Sequence, residues 1–184
     1  MKNTQILLAN RPDGMVKDAD FKIASSDVPP IQNGQVLIKI QYISLDPAIR
    51  GWMNAGTTYI PGVPIGGAMR AFSAGQIIES KNPNFHEGQF VEGLLGATSF
   101  AVSDGKNLKI LDLSIGSIPQ HLGILGMPGM TAYFGLLERG KPKAGETVFV
   151  SGAAGVVGST VGQIAKIKGC KVVGSAGEIG RAHV

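Results

Sequence analysis

TVFVSGAAGVVGSTVGQIAKIKGCKVVG, residues Thr147–Gly174, decides the fold of this chain. It opens with a β-branched run, Thr147 to Val150. It meets the glycines Gly152, Gly155 and Gly158 in a G-x-x-G-x-x-G spacing, and it closes on a second apolar run ending at Gly174. Leaving a strand and entering a helix within a few residues demands backbone angles that a Cβ disfavours, so an early glycine is needed. Between the two runs, Val157, Val161, Ile164 and Ala165 recur at helical spacing, with Gly169 placed as a C-terminal stop. Strand, glycine turn, helix and strand in that order predict a βαβ unit of the nucleotide-binding kind. Gly155 would let the main chain approach a pyrophosphate closely. Gly158 would seat the helix against the strand, and the N–H groups at the helix start would hold the anion.

Outward from that unit, the preceding segment reads as helical. Ser117-Ile118-Pro119 looks like an N-cap with proline in the first turn, and Thr131–Arg139 is a second helix ended by Gly140 with Pro142 beyond. Further toward the N-terminus the chain turns β-rich. Gln35–Ser44 alternates, placing Val36, Ile38, Ile40 and Tyr42 on one face, and short apolar runs recur at Gly75–Ile78, Gln89–Leu95 and Ser99–Val102. Turn pairs such as Asn33-Gly34, Glu87-Gly88 and Asp104-Gly105 separate them. The expected order is α+β, then α/β. A small β domain spans 1–115 and the start of a nucleotide-binding domain spans 116–177.

Composition excludes several classes. The 184 residues carry a net charge of +4, with 17 basic residues scattered rather than clustered, which argues against a nucleic-acid surface. One cysteine, Cys170, rules out an internal disulfide and a cysteine-rich zinc site, and its place between helix and strand reads as a small buried apolar residue. The apolar runs are too short to span a membrane, and MKNTQILLANRPDG lacks a cleavage signal, so the expected compartment is the cytoplasm.

Three stretches together resemble a family: YISLDPAIRGWMN (Tyr42–Asn54), GMPGMTAYFGLLE (Gly126–Glu138) and SGAAGVVGSTVGQIAKIKGCKVVG (Ser151–Gly174). They are similar to the zinc-independent medium-chain dehydrogenase/reductases, in the branch of the prostaglandin and alkenal reductases. Within that branch, TTYIPGVPIGGAMRAFSAGQIIES looks most like the bacterial curcumin reductases. The resemblance runs to about Gly177. It implies a GroES-like β-barrel followed by a Rossmann domain, with the ligand cleft between them. It also implies NADPH-dependent reduction of the carbon–carbon double bond of an α,β-unsaturated aldehyde or ketone. By the same resemblance, Gly152, Gly155, Val156, Val157 and Gly158 belong to the pyrophosphate loop, while Met127 and Thr131 lie near the nicotinamide. Tyr59 matches a substrate-pocket tyrosine that could donate a proton. Core packing for Met127, a helix-terminal hydroxyl for Thr131 and loop packing for Tyr59 stay open as alternatives. Asp46 and Arg50 read as a structural ion pair.

The window that carries Gly-His-Glu in zinc-dependent relatives is here Ala71-Phe72-Ser73, and His86 and His121 have no partner at ligand spacing, so no metal is expected. Members of the family are longer. The remaining strands of the sheet, the adenosine pocket and the tyrosine most often assigned to protonation are expected beyond this sequence, and the Rossmann part is expected to be incomplete. The tail EIGRAHV, 178–184, matches a sequencing adapter read in frame and is expected to be non-native. Glu178 and Arg181 therefore carry no weight in choosing NAD or NADP, and NADP rests on the resemblance. A homodimer is common in the family. The competing expectations are a quinone reductase of the same superfamily, a non-catalytic nucleotide-binding protein, and an incomplete translation.

Overall fold

The computed structural model of the chain describes residues 1–56 and 60–177. It divides into two compact units, one ending at Ile118 and one beginning at Pro119.

The first unit opens with an antiparallel hairpin of β1 (Lys2–Leu8) and β2 (Phe21–Asp27), Leu8 opposite Phe21. A five-stranded antiparallel sheet follows. It contains β3 (Val36–Ile43), β4 (Ser73–Ser80), β5 (Phe90–Gly93), β6 (Phe100–Ser103) and the short β7 (Lys109–Ile110), in the order β6-β3-β4-β5-β7. The helix α1 (Ala48–Trp52) sits between β3 and β4 in sequence. Single bridges, Gln5 to Thr98 and Leu7 to Ala68, tie the hairpin to the segments that flank the sheet. Two apolar clusters form. Val36, Ile38, Ile77 and Val91 pack within the sheet, and Leu8, Trp52, Met53, Val63, Met69 and Ala97 pack with the hairpin and α1.

The apolar runs expected as strands fall in β4, β5 and β6, and Gly34 and Gly88 take the positive φ (83° and 87°) that their turns require. The expected single face of β3 holds only in part. Val36 and Ile38 are fully buried and Ile40 partly so, but Tyr42 is exposed. The register between β3 and β4 shifts twice: at Leu37/Ile38 the extra residue is in β4, so Val36 and Ile38 keep one face, whereas at Ile40/Tyr42 the extra residue, Gln41, is in β3 and breaks its alternation there.

In the second unit, α2 (Ile118–Leu122) begins where Ser117-Ile118-Pro119 places it. The next helix departs from expectation. It is α3 (Met127–Phe134), starting before Thr131, and it widens into a π-helical stretch over Gly135–Gly140. Its left-handed terminal residue is Lys141 (φ 48°) rather than Gly140, and the Lys141 N–H donates to the Leu136 carbonyl at 2.7 Å. A side chain in that conformation carries a cost of about 1 kcal/mol that glycine avoids. Lys141→Gly should therefore stabilise the second unit by about that amount, read as a rise in the urea midpoint at unchanged slope; a lower midpoint would contradict the assignment.

Then come β8 (Thr147–Ser151), α4 (Val156–Ile167) and β9 (Lys171–Ser175). β8 and β9 pair in parallel from Thr147↔Lys171 to Ser151↔Ser175. Val161, Ile164 and Ala165 of α4 pack on Leu136, Val148 and Cys170, and Gly169 (φ 79°) turns the chain out of the helix as expected. Cys170 is buried, its Sγ 3.3 Å from the Lys143 carbonyl oxygen. Phe149 of β8 and Val173 of β9 are left exposed.

Candidate functional site

The glycine turn has the geometry of an anion cradle. Gly152 is left-handed (φ 63°), and the Gly155 N–H closes the turn onto the Gly152 carbonyl at 3.0 Å. Gly155 then serves as the N-cap of α4 in extended conformation, and it has no side chain to cap the helix. The first helical bond runs from the Ser159 N–H to the Gly155 carbonyl at 2.8 Å. The N–H groups of Val156, Val157 and Gly158 have no backbone acceptor among the described residues, and the first turn holds no acidic side chain. These are the donors that a helix start leaves open, at the positive end of its dipole.

The turn is held from both sides. A Cβ on Gly158 would collide with the Gly152 carbonyl and lie 2.9 Å from Ala153 Cα. The glycine therefore seats α4 on the turn itself, where the sequence had suggested the strand. The Ala153 N–H donates to the Ser175 carbonyl at 2.9 Å, which fixes the turn to the end of β9. The buried Thr160 hydroxyl donates to the Val156 carbonyl at 2.7 Å and so orients the first peptide of the helix. Val157 does not share the buried face of Val161 and Ile164 as its spacing suggested; it is exposed beside the open N–H groups. Gly158 and Thr160 are buried instead.

Met127 and Thr131 lie one turn apart on α3, which packs along α4. Met127 is half-exposed, so pure core packing does not describe it. Thr131 stands in the interior of α3, and its hydroxyl donates back to the Met127 carbonyl at 2.9 Å, so the helix-terminal role is not the one it plays. The segment leading into α3 passes the opening of α4, since a Cβ on Gly123 would be 3.7 Å from Val156 Cγ1. Tyr59, Glu178 and Arg181 lie outside the described residues.

The first unit contains a cavity of about 480 Å3 that sequence reading did not anticipate. Ile6, Phe21, Ile43, Leu45, Ile49 and Met69 form most of its wall, Ala71 at the head of the Ala71–Ser73 window also lines it, and its charged groups are Asp18 and Arg70. Arg70 stands beyond the small-residue run Gly66-Gly67-Ala68, with Met69 between. The expected ion pair of Asp46 with Arg50 is not formed. Arg50 donates to Asn54 Oδ1 (2.7 Å) and to the carbonyls of Pro12 (3.2 Å) and Gly14 (3.1 Å), whose loop satisfies the guanidinium, while Asp46 Oδ2 is buried without a hydrogen bond. His86 is exposed and His121 buried. Among the described residues no cluster of three or more His, Cys, Asp or Glu could hold a metal ion, and no helix is long and apolar enough to cross a membrane.

Comparison with known proteins follows the same lines. The profile of a family described as "N-terminal domain of oxidoreductase" matches residues 4–111. The chain is 44% identical over 180 residues to the NADPH-dependent curcumin reductase of Escherichia coli, covering 96% of this chain and 51% of that protein. It is 44% identical over 168 residues to prostaglandin reductase 1 of Mus musculus, covering 90% and 49%. The crystal structure of CurA from Vibrio vulnificus in complex with NADPH superposes with a TM-score of 0.89 at 41% identity, covering 95% of this chain and 52% of that one. The chain thus spans about half the length of the curated relatives it matches. Its architecture is that of a GroES-like β domain followed by the opening strands and helix of a Rossmann domain. By this match and this architecture, the chain belongs to the oxidoreductases of the medium-chain dehydrogenase/reductase family.

Proposed function

We propose that the protein carrying this sequence is an NADPH-dependent reductase of the carbon–carbon double bond in α,β-unsaturated aldehydes and ketones. The observation that carries the reading is the uncapped start of α4. Three N–H groups stand open there, with neither a capping side chain nor an acidic residue to occupy them. That is what a pyrophosphate requires. Gly152, Gly155, Val156, Val157 and Gly158 form this cradle, and Met127 and Thr131 border the nicotinamide end. When bound, NADPH supplies the hydride added to the β-carbon. The apolar wall of the first unit's cavity excludes water from the substrate. Tyr59 is the candidate donor of the proton that completes the reduction at the α-carbon. The relatives named for curcumin, prostaglandin and NADPH support this assignment. The Ala71-Phe72-Ser73 window supports a route without zinc, the cytoplasm is the proposed compartment, and a homodimer is the proposed assembly.

The 184-residue chain on its own is proposed to bind NADPH weakly and to turn over no enone. A parallel strand pair is stable when both faces are covered, and here Phe149 and Val173 stand exposed on β8 and β9. Calorimetric titration should show no affinity for NADPH in the low-micromolar range; a dissociation constant in that range would contradict the proposal. For the complete open reading frame, loss of the reduced nicotinamide's absorbance with a 2-alkenal, compared with a quinone, tests the reaction. Turnover of the quinone alone would replace this reading with a quinone reductase, and binding without turnover would make the protein a nucleotide-binding module.

A further inference from the structure

We propose that a second cavity of the first unit binds a small neutral molecule with an apolar body and a carbonyl oxygen, the oxygen accepting from the side-chain amide of Asn3. This cavity has a volume of about 310 Å3 and is lined by residues of β1, β2, β3 and β6. β1 presents Asn3 and Gln5 to it, whereas Ile6, one residue on, lines the larger cavity. The apolar lining includes Val28, Leu37, Leu95, Phe100 and Val102, and the polar lining is Asn3, Gln5, Ser26 and Thr98. Apolar walls with a few convergent polar groups are what a small ligand requires. No Asp, Glu, Lys, Arg or His among the described residues lines this cavity, so an ion placed there would find no countercharge.

Asn3 is the group that selects the oxygen. Its side chain is buried, with only 8% of the residue exposed. Its Oδ1 already accepts from the Thr98 hydroxyl at 2.7 Å, the Ser99 hydroxyl at 3.1 Å and the Phe100 N–H at 2.9 Å. A backbone N–H can only donate, so the Phe100 bond fixes which amide atom is the oxygen. The Nδ2 group therefore carries the donors, and it donates to no described residue. A sealed amide nitrogen without an acceptor would be costly. This one is not sealed off, and the cavity that Asn3 lines is where its donors stand open. A carbonyl oxygen satisfies the amide as water does, and the apolar body attached to it gains by leaving water. Gln5, on the same face of β1, is half-buried, and its side chain makes no hydrogen bond with a described residue, so it offers a second amide. Ser26 pairs with Asn3 across the hairpin and borders the cavity from an exposed position. Neither the glycine turn nor the larger cavity takes part, so the proposal stands apart from the reductase reading.

Cyclohexanone, cyclohexanecarboxylate and cyclohexylammonium share one ring and differ in the head. In nitrogen–proton correlation spectra of the purified chain, cyclohexanone should shift the side-chain amide signals of Asn3 saturably, with half-saturation at millimolar concentration, as suits so small a ligand. The carboxylate and the ammonium should need at least about tenfold more, since neither charge meets a partner. Asn3→Asp keeps an oxygen for Thr98, Ser99 and Phe100 and replaces the donor by a second oxygen. Read at the Gln5 amide, that variant should lose cyclohexanone and take up cyclohexylammonium instead. Ser26→Phe places a ring in the cavity from a position where substitution costs little stability, and it should abolish the cyclohexanone shift. Should Asn3→Asp fail to fold, Ser26→Phe decides alone. An unmoved Asn3 amide, equal binding of the charged heads, unaltered cyclohexanone binding in either variant, or shifts confined to Ile6, Ile43 and Met69 of the larger cavity would each overturn the proposal. No nucleotide enters the measurement, so a failure of NADPH binding leaves its outcome readable.

Discussion

Gly158→Ala is expected to destabilise the second unit by about 1–3 kcal/mol and to weaken NADPH binding at least about tenfold. Helix propensity alone has the opposite sign. Alanine is favoured over glycine in a helix interior by about 1 kcal/mol, so a neutral site would gain stability. At Gly158 the new Cβ would meet the Gly152 carbonyl and stand 2.9 Å from Ala153 Cα. Both obstacles are backbone of the turn, which cannot swing aside as a side chain would. The turn is also fixed to β9 through the Ala153 N–H and the Ser175 carbonyl, so relief must come from lifting α4 or opening the turn. Either movement displaces the N–H groups of Val156 and Val157. Gly162→Ala is the matched control in the same helix. Its Cβ would lie 3.5 Å from Val172 Cγ1, an ordinary contact, and the substitution should be neutral or stabilising. Urea denaturation gives the stability of both variants, and saturation-transfer NMR detects nucleotide binding down to millimolar affinity. If Gly158→Ala behaves like Gly162→Ala in both measurements, the close approach of helix and turn has no role.

The βαβ unit was legible because all its determinants lie consecutively in the chain. The strand run, the three glycines, the apolar stripe of α4 and Gly169 need no distant partner to be read. The hairpin was not legible for the converse reason. In β1 the buried residues are Asn3 and Leu8, which do not alternate, and one of them is polar. Asn3 Oδ1 accepts hydrogen bonds from the Thr98 hydroxyl (2.7 Å), the Ser99 hydroxyl (3.1 Å) and the Phe100 N–H (2.9 Å), so hydrogen bonding rather than apolar burial anchors the strand. Hydrophobic periodicity does not register such an anchor. The cavity escaped for a related reason. Its walls come from the hairpin, the end of β3, α1 and the segments before β4 and β6, and no single window of sequence contains enough of it to show a pattern. Lys141 marks a third case. Gly140 was the residue with the right propensity, but the π-helical widening shifted the end of the helix by one position.

Gly75→Ala should cost the first unit about 3 kcal/mol or more, at the upper end of what overpacking produces, because the obstruction is the neighbouring strand's backbone. Gly75 is buried in β4 opposite Ile40 of β3. A Cβ there would collide with the Lys39 carbonyl and come within 2.8 Å of Ile40 Cα. This is the point at which β3 loses its regular alternation, since the register shifts between Ile40 and Tyr42. The absence of a side chain at Gly75 lets the two strands approach at the bulge. The bulge in turn exposes Tyr42, and Ile43 just beyond it lines the cavity. Forcing the strands apart should therefore lower the urea midpoint followed by Trp52 fluorescence. Gly51→Ala in α1 is the comparison, because its Cβ would meet nothing within 4 Å. That variant should leave the midpoint unchanged or raise it. If Gly75→Ala keeps the stability of the unaltered chain, the close approach of β3 and β4 does not constrain the sheet, and the exposure of Tyr42 needs another cause.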